Sequence, residues 1–403
     1  MQIIMENSEL RLPNIGFDMP ITDLIMELEK MRYKIIESDT HPLVFRQIRQ
    51  IFQTLESVGS SRIEGNNTTI MDYVENTKIN KNENKNKNNS GPAEDIMEIL
   101  NIEKAMEYIE ENINDIPISL MFIRELHQLT VDNLSYRKEG AQHPGCFREQ
   151  NVRIGGSNHT PPDYTQVVQL MQELLDFVNR EDSAKYDLLK IAIAHHRFVW
   201  IHPFENGNGR VVRLFTYALL LKSVFKSRDR IINPTAVFCT DRDAYYRYLS
   251  KADTGTDEGL IAWSEYMLKG LCTEIEKIDR LADYTYLKAN ILLPALVDSR
   301  DNAYVTPTEY SILKATITKS DQIIQSSDIA KLFPNASGSD RSRMIRALLD
   351  KGMLIPTHDK ARRYVIAFSN SYLLRSILKM LDVNGFLPIN DGGLLRNENI
   401  LTV

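Results

Sequence analysis

Apolar positions recur at helical spacing along most of the chain. Leu24, Ile25, Leu28 and Met31 mark one stretch, and Phe45, Ile48, Ile51, Phe52 and Leu55 a second, so residues 20–58 are expected to be helical. The second stretch meets Gly59-Ser60-Ser61, which predicts its end, with a short further element holding Arg62-Ile63-Glu64-Gly65. Periodicity resumes at Asp95. IMEILNIEKAMEYIEENI and SLMFIRELHQLTVDNL are both amphipathic, and helical patterns dominate again from about residue 165 to 285.

Two segments break the pattern. Residues 76–92, NTKINKNENKNKNNSGP, carry almost no apolar groups and cannot bury enough surface to offset their chain entropy, so a solvated loop is expected there. From Pro144 to Asp163, Gly, Pro and Asn surround a short alternating Val152-Arg153-Ile154 run, which predicts a hairpin or extended flap. A third region begins near Leu292. Thr306-Pro307-Thr308-Glu309 reads as a helix start, with a capping hydroxyl, Pro at the first helical position and an acid in the first turn. Ser326-Ser327-Asp328 opens another helix, SGSDRSRMIRALLDKGML predicts a third, and an alternating segment from Arg363 to Phe368 follows a turn at 356–361. Three helices and then a hairpin is the winged-helix order.

Composition narrows the classes. A chain of 403 residues is long enough for two or three domains. The net charge of -6 argues against a whole-chain nucleic-acid binder and leaves a local basic patch open. Cys146, Cys239 and Cys272 are far apart without CxxC spacing, which argues against a disulfide framework or zinc site and for a reducing compartment. The N-terminal MQIIMENSELRLPN lacks the basic and apolar regions of a signal peptide, and no apolar run approaches membrane-spanning length. A cytoplasmic location without membrane attachment is the expectation.

The chemistry concentrates in His202-Pro203-Phe204-Glu205-Asn206-Gly207-Asn208-Gly209-Arg210, continuing to Arg213. Strongly apolar helices are predicted on both sides, LLKIAIAHHRFVWIH before and VVRLFTYALLLKSVF after. The polar loop therefore opens a helix. Gly207 and Gly209 permit backbone N–H groups to converge, and the helix start adds its free amides and positive dipole end. Arg210 and Arg213, three apart, project from nearly one face and can each fork two donors onto phosphate oxygens. His202 stands at the entrance as a base suited to neutral pH. Together these are the parts of a polyphosphate site.

HPFENGNGRVVR resembles the Fic-family signature HxFx[DE]GNGRxxR, through His202, Phe204, Gly207, Asn208, Gly209, Arg210 and Arg213. PGCFREQNVRIGG followed by TPPDY is similar to the family's flap, which holds a target segment by strand addition. The resemblance implies a mainly α fold: an all-helical Fic core with a β-hairpin flap, preceded by helices and followed by a winged-helix domain. The corresponding spans are 1–94, 95–288 and 289–403. It implies protein adenylyltransferase activity, with ATP as co-substrate and Mg²⁺ or Mn²⁺ as the metal. His202 would deprotonate a target hydroxyl, Phe204 would anchor the loop, and the backbone of Gly207 to Gly209, assisted by Asn208, would cradle phosphates. Arg210 would hold the β-phosphate region and Arg213 the γ-phosphate. Val152, Ile154 and Gly155 would line the target channel, and Tyr245 and Tyr246 would border the adenine. Asn206 departs from the family pattern, which has Asp or Glu at this metal position; its neutral carbonyl is a weaker ligand.

Ser60-Ser61-Arg62-Ile63-Glu64-Gly65 resembles the family's inhibitory motif [ST]xxxE[GN], through Ser60, Glu64 and Gly65. The resemblance implies that Glu64 pairs with Arg213 in place of the γ-phosphate. Expected partners are ATP, an unidentified protein target and a second copy of the chain in a homodimer; the C-terminal module stays open between DNA, met through Arg341, Arg343, Arg346, Lys360, Arg362 and Arg363, and protein docking, since Asp340, Asp350 and Asp359 dilute the patch. Two rival readings stay open. One is a nucleotide-sensing regulator with a site weakened by Asn206, and the other a Fic fold that transfers a different phosphate-linked group.

Overall fold

The computed structural model describes residues 10–33, 39–79, 92–155, 159–225, 231–369 and 371–387. Helices carry nearly all of it. In chain order they are α1 (Pro20–Tyr33), α2 (Pro42–Ile63), α3 (Ile70–Val74), α4 (Glu94–Asn112), α5 (Leu120–Val131), α6 (Val167–Asn179), α7 (Asp187–Ile201), α8 (Asn208–Leu219) and α9 (Pro234–Thr240). There follow α10 (Arg242–Ala252), α11 (Asp257–Asp279), α12 (Tyr284–Leu287), α13 (Leu293–Asp301), α14 (Pro307–Thr318), α15 (Ser326–Leu332), α16 (Gly338–Asp350) and α17 (Leu373–Val383). Among the described residues the one sheet is the antiparallel pair β1 (Leu354–Pro356) and β2 (Tyr364–Ile366). None of the described helices is long and apolar enough to cross a membrane.

The chain divides into two compact units, neither of them one continuous stretch. The first draws on Met1–Ile35, Glu56–Thr68 and Gly91–Glu276, the second on Ile36–Leu55, Thr69–Ser90 and Lys277–Val403. The division falls within α2.

In the first unit α7 is buried over most of its surface. Leu188, Leu189, Ile191, Ile193, Phe198 and Ile201 are all buried, which fits a helix at the centre of a core. It packs against α6 and α8, and α5 packs against α4 and α8. Trp263 of α11 closes one side, its indole N–H donating to the Ala192 carbonyl at 2.7 Å. The predicted break at Gly59-Ser60-Ser61 is absent, and α2 runs through to Ile63. All three residues are buried, and tertiary burial outweighs a helix-propensity cost of roughly 1 kcal/mol at Gly59. The helix stops just before Gly65, whose φ of 106° is unfavourable for any residue with a Cβ.

The flap differs from the expected hairpin. Among its described residues, 144–155 and 159–163, no strand pairs with another. Side chains join its two arms instead. Arg148 donates to the Gln150 carbonyl at 3.0 Å and the Pro162 carbonyl at 2.6 Å. Asn151 donates to Asp163 at 3.0 Å and accepts from the Tyr164 amide at 2.9 Å. These bonds occupy backbone groups near the base that a ladder would use, and the described residues of the flap form no β-ladder.

In the second unit the predicted start of α14 is observed in detail. Thr306 caps it, Pro307 is its first residue, and Glu309 reaches back to the Thr306 amide at 2.8 Å. An isolated bridge between Ile324 and Tyr364 lies beside the sheet, and Gln47 of α2 extends the edge by accepting from the Phe368 amide at 2.7 Å. The order is therefore α14, the 324 bridge, α15, α16, β1 and β2. Most of the Asn/Lys-rich stretch, residues 80–91, lies outside the described residues, and Glu75–Ile79 form a π-helical turn.

Candidate active site

The loop between α7 and α8 is held by its own side chains. α7 ends at His202, in the left-handed region at φ 51°, and Gly207 opens α8 at φ 75°. A Cβ on Gly207 would stand 3.2 Å from Val131, so both conformation and space call for glycine. Phe204 is fully buried, with its ring stacked on His127 at 3.8 Å between centroids. Asn208 locks the turn through both its side-chain atoms: Oδ1 accepts from the Phe204 amide and Nδ2 donates to the Phe204 carbonyl, each at 2.9 Å. The Asn208 side chain thus holds the turn. What remains for an anion is backbone. The amides of Asn208, Gly209 and Arg210 lie in the first turn of α8, where no i−4 carbonyl serves them.

His202 is fixed from behind. Its carbonyl accepts from Arg148 Nε at 2.9 Å, and Arg148 also reaches the Ile201 carbonyl at 3.4 Å. The His202 Nδ1 atom is buried without a hydrogen-bond partner. Burial lowers its pKa to about 4, against a raising contribution from the Val199 backbone. The imidazole is therefore neutral near pH 7, the form a base requires.

Arg213 is 2% exposed. Its Nε donates to Ser60 Oγ at 2.8 Å, and its Nη2 donates to the Ser60 carbonyl at 2.9 Å and to Glu64 Oε1 at 2.7 Å. Burial works to raise the Glu64 pKa, but Arg213, then Arg210 and Arg242, hold it below the ordinary range. A Cβ on Gly209 would lie 2.1 Å from Glu64 Oε1, so this carboxylate rests directly over the first turn of α8. The structure thus brings Ser60 and Glu64, separated from Arg213 by about 150 residues of sequence, to the anion position. Gly65 contributes the turn that ends the helix.

Arg210 has partners that sequence reasoning missed. It is fully buried; Nη2 donates to the Glu139 carbonyl at 2.8 Å and its carboxylate at 2.9 Å, and Nη1 faces Glu98 at 3.2 Å. Burial pushes Glu98 up to about 6 against the pull of Arg210, and Glu139 is also raised by burial. One signal for Glu98 was available: with Asn101 it falls on the same buried face of α4 as Ile102, Ala105 and Ile109. His127 likewise lies on the buried stripe of α5.

Asn206 is a staple. Its amide donates to the Lys138 and Gly140 carbonyls at 2.6 and 3.3 Å, while its oxygen accepts from the Gly207 amide at 2.8 Å. A carboxylate could not make the two donations. The neutral oxygen turned toward Gly207 does not fit a protein-held cation seat, and the adjacent Glu205 is exposed and accepts from Gln150 at 3.3 Å.

The remaining candidates separate. Val152 and Ile154 are half-buried and Gly155 is exposed on the flap, with residues 156–158 outside the described set. Tyr245, expected at the adenine, is 2% exposed and bonds to His195 Nε2 at 2.9 Å, so it belongs to the core. Adjacent helix positions differ in direction by about 100°, and its neighbour Tyr246 is 44% exposed.

The Fic/DOC family model matches residues 117–220. Proteins named "Protein adenylyltransferase Fic" from Drosophila willistoni and Drosophila melanogaster are each 32% identical over 160 residues, which is 39% of this chain. The match spans only 29% of the former and 30% of the latter. A crystal structure of a Fic family protein from Desulfovibrio desulfuricans G20 shares the fold with a TM-score of 0.52, covering 89% of this chain and 98% of that one at 20% identity. Residues 117–220 match the Fic/DOC family, on a helical fold that the Desulfovibrio protein shares.

Proposed function

We propose that this protein transfers AMP from ATP to a hydroxyl side chain of a protein target, and to itself, and that Glu64 restrains it. The carrying observation is a neutral His202 beside a helix start whose anion position is filled by Glu64 on Arg213. The naming of the curated relatives as adenylyltransferases supports the same reading.

In this scheme Glu64 leaves Arg213, and the terminal phosphate of ATP takes its place. The first-turn amides of α8 receive the neighbouring phosphate oxygens, and Arg210 turns part of its fork from Glu139 to the β-phosphate. The divalent cation, Mg²⁺ or Mn²⁺, enters with the nucleotide as part of the substrate. A target segment pairs with the unladdered flap at Val152 to Gly155, and Tyr246 borders the base. His202 takes the proton from the target hydroxyl, the oxygen bonds to the α-phosphorus, and the bond to the α,β-bridging oxygen breaks, releasing pyrophosphate. A second reading, a nucleotide-sensing regulator, draws on the Arg210 clamp and the stapled Asn206.

The test is incubation of wild type, Glu64→Gly and His202→Ala with ATP and Mg²⁺ or Mn²⁺, followed by intact-mass and peptide mass spectrometry. An AMP-sized adduct that grows in Glu64→Gly and is lost in His202→Ala supports the transferase. Nucleotide binding with no adduct in any variant, target lysate included, supports the regulator. Transfer of label from the γ-position and not the α-position would replace AMP transfer by phosphate transfer.

A further inference from the structure

The second unit carries a local excess of positive charge. Residues 337–363 contain seven Lys or Arg and three Asp, in a protein whose net charge is -6. The fold arranges these cations on two exposed features. Helix α16 buries Ile345 and Leu348 against its own unit, which leaves Ser339, Ser342, Arg343 and Arg346 on the outer side. The side chains of Arg343 and Arg346 are 78% and 82% exposed, and their carboxylate neighbours Asp340 and Asp350 stand at 3.4 and 4.0 Å. Such exposed pairs contribute little and yield readily to a stronger anion. The turn between β1 and β2 presents Lys360, Arg362 and Arg363, all exposed, with Lys360 at φ 58° at its tip. Helix and turn belong to one piece, since α16 packs against β1 and β1 pairs with β2.

We infer that α16 and the β1–β2 turn form a surface for double-stranded DNA, with the outer face of α16 in the major groove and the turn on the phosphate backbone. The inference is independent of the transferase reading. Its shape argument is that a helix with an exposed face, packed on the strand that leads into the turn, matches a groove about 12 Å wide between two rows of phosphates. The deep, narrow major groove of A-form RNA does not admit a helix, which favours DNA over RNA duplexes. Ser339 and Ser342, on the same side as the arginines, add small hydroxyls suited to phosphate or base-edge contact. The Ile324–Tyr364 bridge, the packing of α15 on α16 and that of α14 on β2 tie helix and turn into one piece.

The experiment is fluorescence anisotropy of the full chain on a labelled random-sequence DNA duplex of about 30 base pairs, titrated across salt, with an RNA duplex alongside. Five phosphate contacts give a log–log salt slope of about -4.5, so affinity falls roughly 500-fold between about 50 and 200 mM salt. The Arg343→Glu/Arg346→Glu pair is expected to flatten the slope by about 2 and weaken binding at least tenfold at moderate salt. Lys360→Ala/Arg362→Ala/Arg363→Ala is expected to flatten it by about 3. All five positions are exposed, so unchanged thermal melting will accompany these losses, while His202→Ala will bind as wild type. No binding at low salt, variants with the wild-type slope, or equal or tighter binding to the RNA duplex would overturn the inference. Binding of an acidic polypeptide such as polyglutamate with the same affinity as DNA would overturn it too, in favour of a protein-docking face.

Discussion

Replacing Glu64 by glycine removes the carboxylate 2.7 Å from Arg213 Nη2, and its consequences for stability and for rate can be separated. Arg213 does not lose all its acceptors, because Ser60 Oγ and the Ser60 carbonyl remain at 2.8 and 2.9 Å. The stability loss is therefore expected near 1–2 kcal/mol, below the roughly 3–5 kcal/mol of stranding a fully buried charge. For ATP to place a phosphate on Arg213, the wild type must first break the Glu64 contact. The Glu64 side chain is 26% exposed, so partial solvent screening lowers the contact to about 2–3 kcal/mol. At about 1.4 kcal/mol per factor of ten, Glu64→Gly raises kcat/KM for ATP roughly 30- to 150-fold. The assay is transfer of α-labelled AMP to the protein itself across an ATP titration, with Arg213→Ala added in the Glu64→Gly background. Abolition of the gain by Arg213→Ala is the expected result. An equal kcat/KM for ATP in Glu64→Gly and wild type, or a gain that survives loss of Arg213, would refute the reasoning.

Three further perturbations test separate parts. Asn206→Asp loses the donations to Lys138 and Gly140 and is expected to cost about 1–3 kcal/mol in a denaturant melt; an unchanged midpoint would dismiss the staple. Arg148→Lys cannot span the carbonyls of Gln150, Pro162, Ile201 and His202, so kcat is expected to fall about 10- to 100-fold with the ATP KM little changed; parallel loss of ATP affinity would contradict a positioning role. Burial raises the Glu56 pKa from 4.5 to about 8, so between those values the folded state keeps a proton that the unfolded state releases, and stability falls as pH rises through that window. Glu56→Gln is expected to flatten this dependence in urea melts at about pH 5 and about pH 8, and a flat wild type would refute it.

Local chemistry was the most legible. The start of α14 follows from four residues, because capping hydroxyl, proline and returning acid act within one turn. The loop from His202 to Arg213 was visible as a pattern, since glycines and arginines at a helix start have few other uses in that combination. The pairing of Glu64 with Arg213 came only from resemblance, because no local periodicity joins positions 149 residues apart. The continuation of α2 through Gly59 was hidden because burial, absent from a propensity scale, decided it. The structural bonds of Asn206 and Asn208 were hidden for a different reason. Their residue type suits ligands and turn backbone equally, and here the backbone of Phe204, Lys138 and Gly140 claims them. Tyr245 and Tyr246 could have been separated in advance, since adjacent helical positions do not both face one pocket.

The charges around the loop set an order of events for the proposed reaction. At rest Arg210 and Arg213 meet three carboxylates, Glu64, Glu98 and Glu139. A triphosphate entering beside all three would face strong like-charge repulsion in a poorly solvated site, so at least one must leave or take a proton. Glu98 is held on the buried face of α4 at 3% side-chain exposure, and Glu139 sits in the loop that Asn206 staples. Glu64 is bound only at the end of α2, just before the Gly65 turn, and is more exposed than Glu98. Its departure disturbs the least structure and vacates the Arg213 donor that the terminal phosphate needs. The Arg210 clamp then loosens second, as phosphate charge competes with Glu139, whose partial burial already raises its pKa.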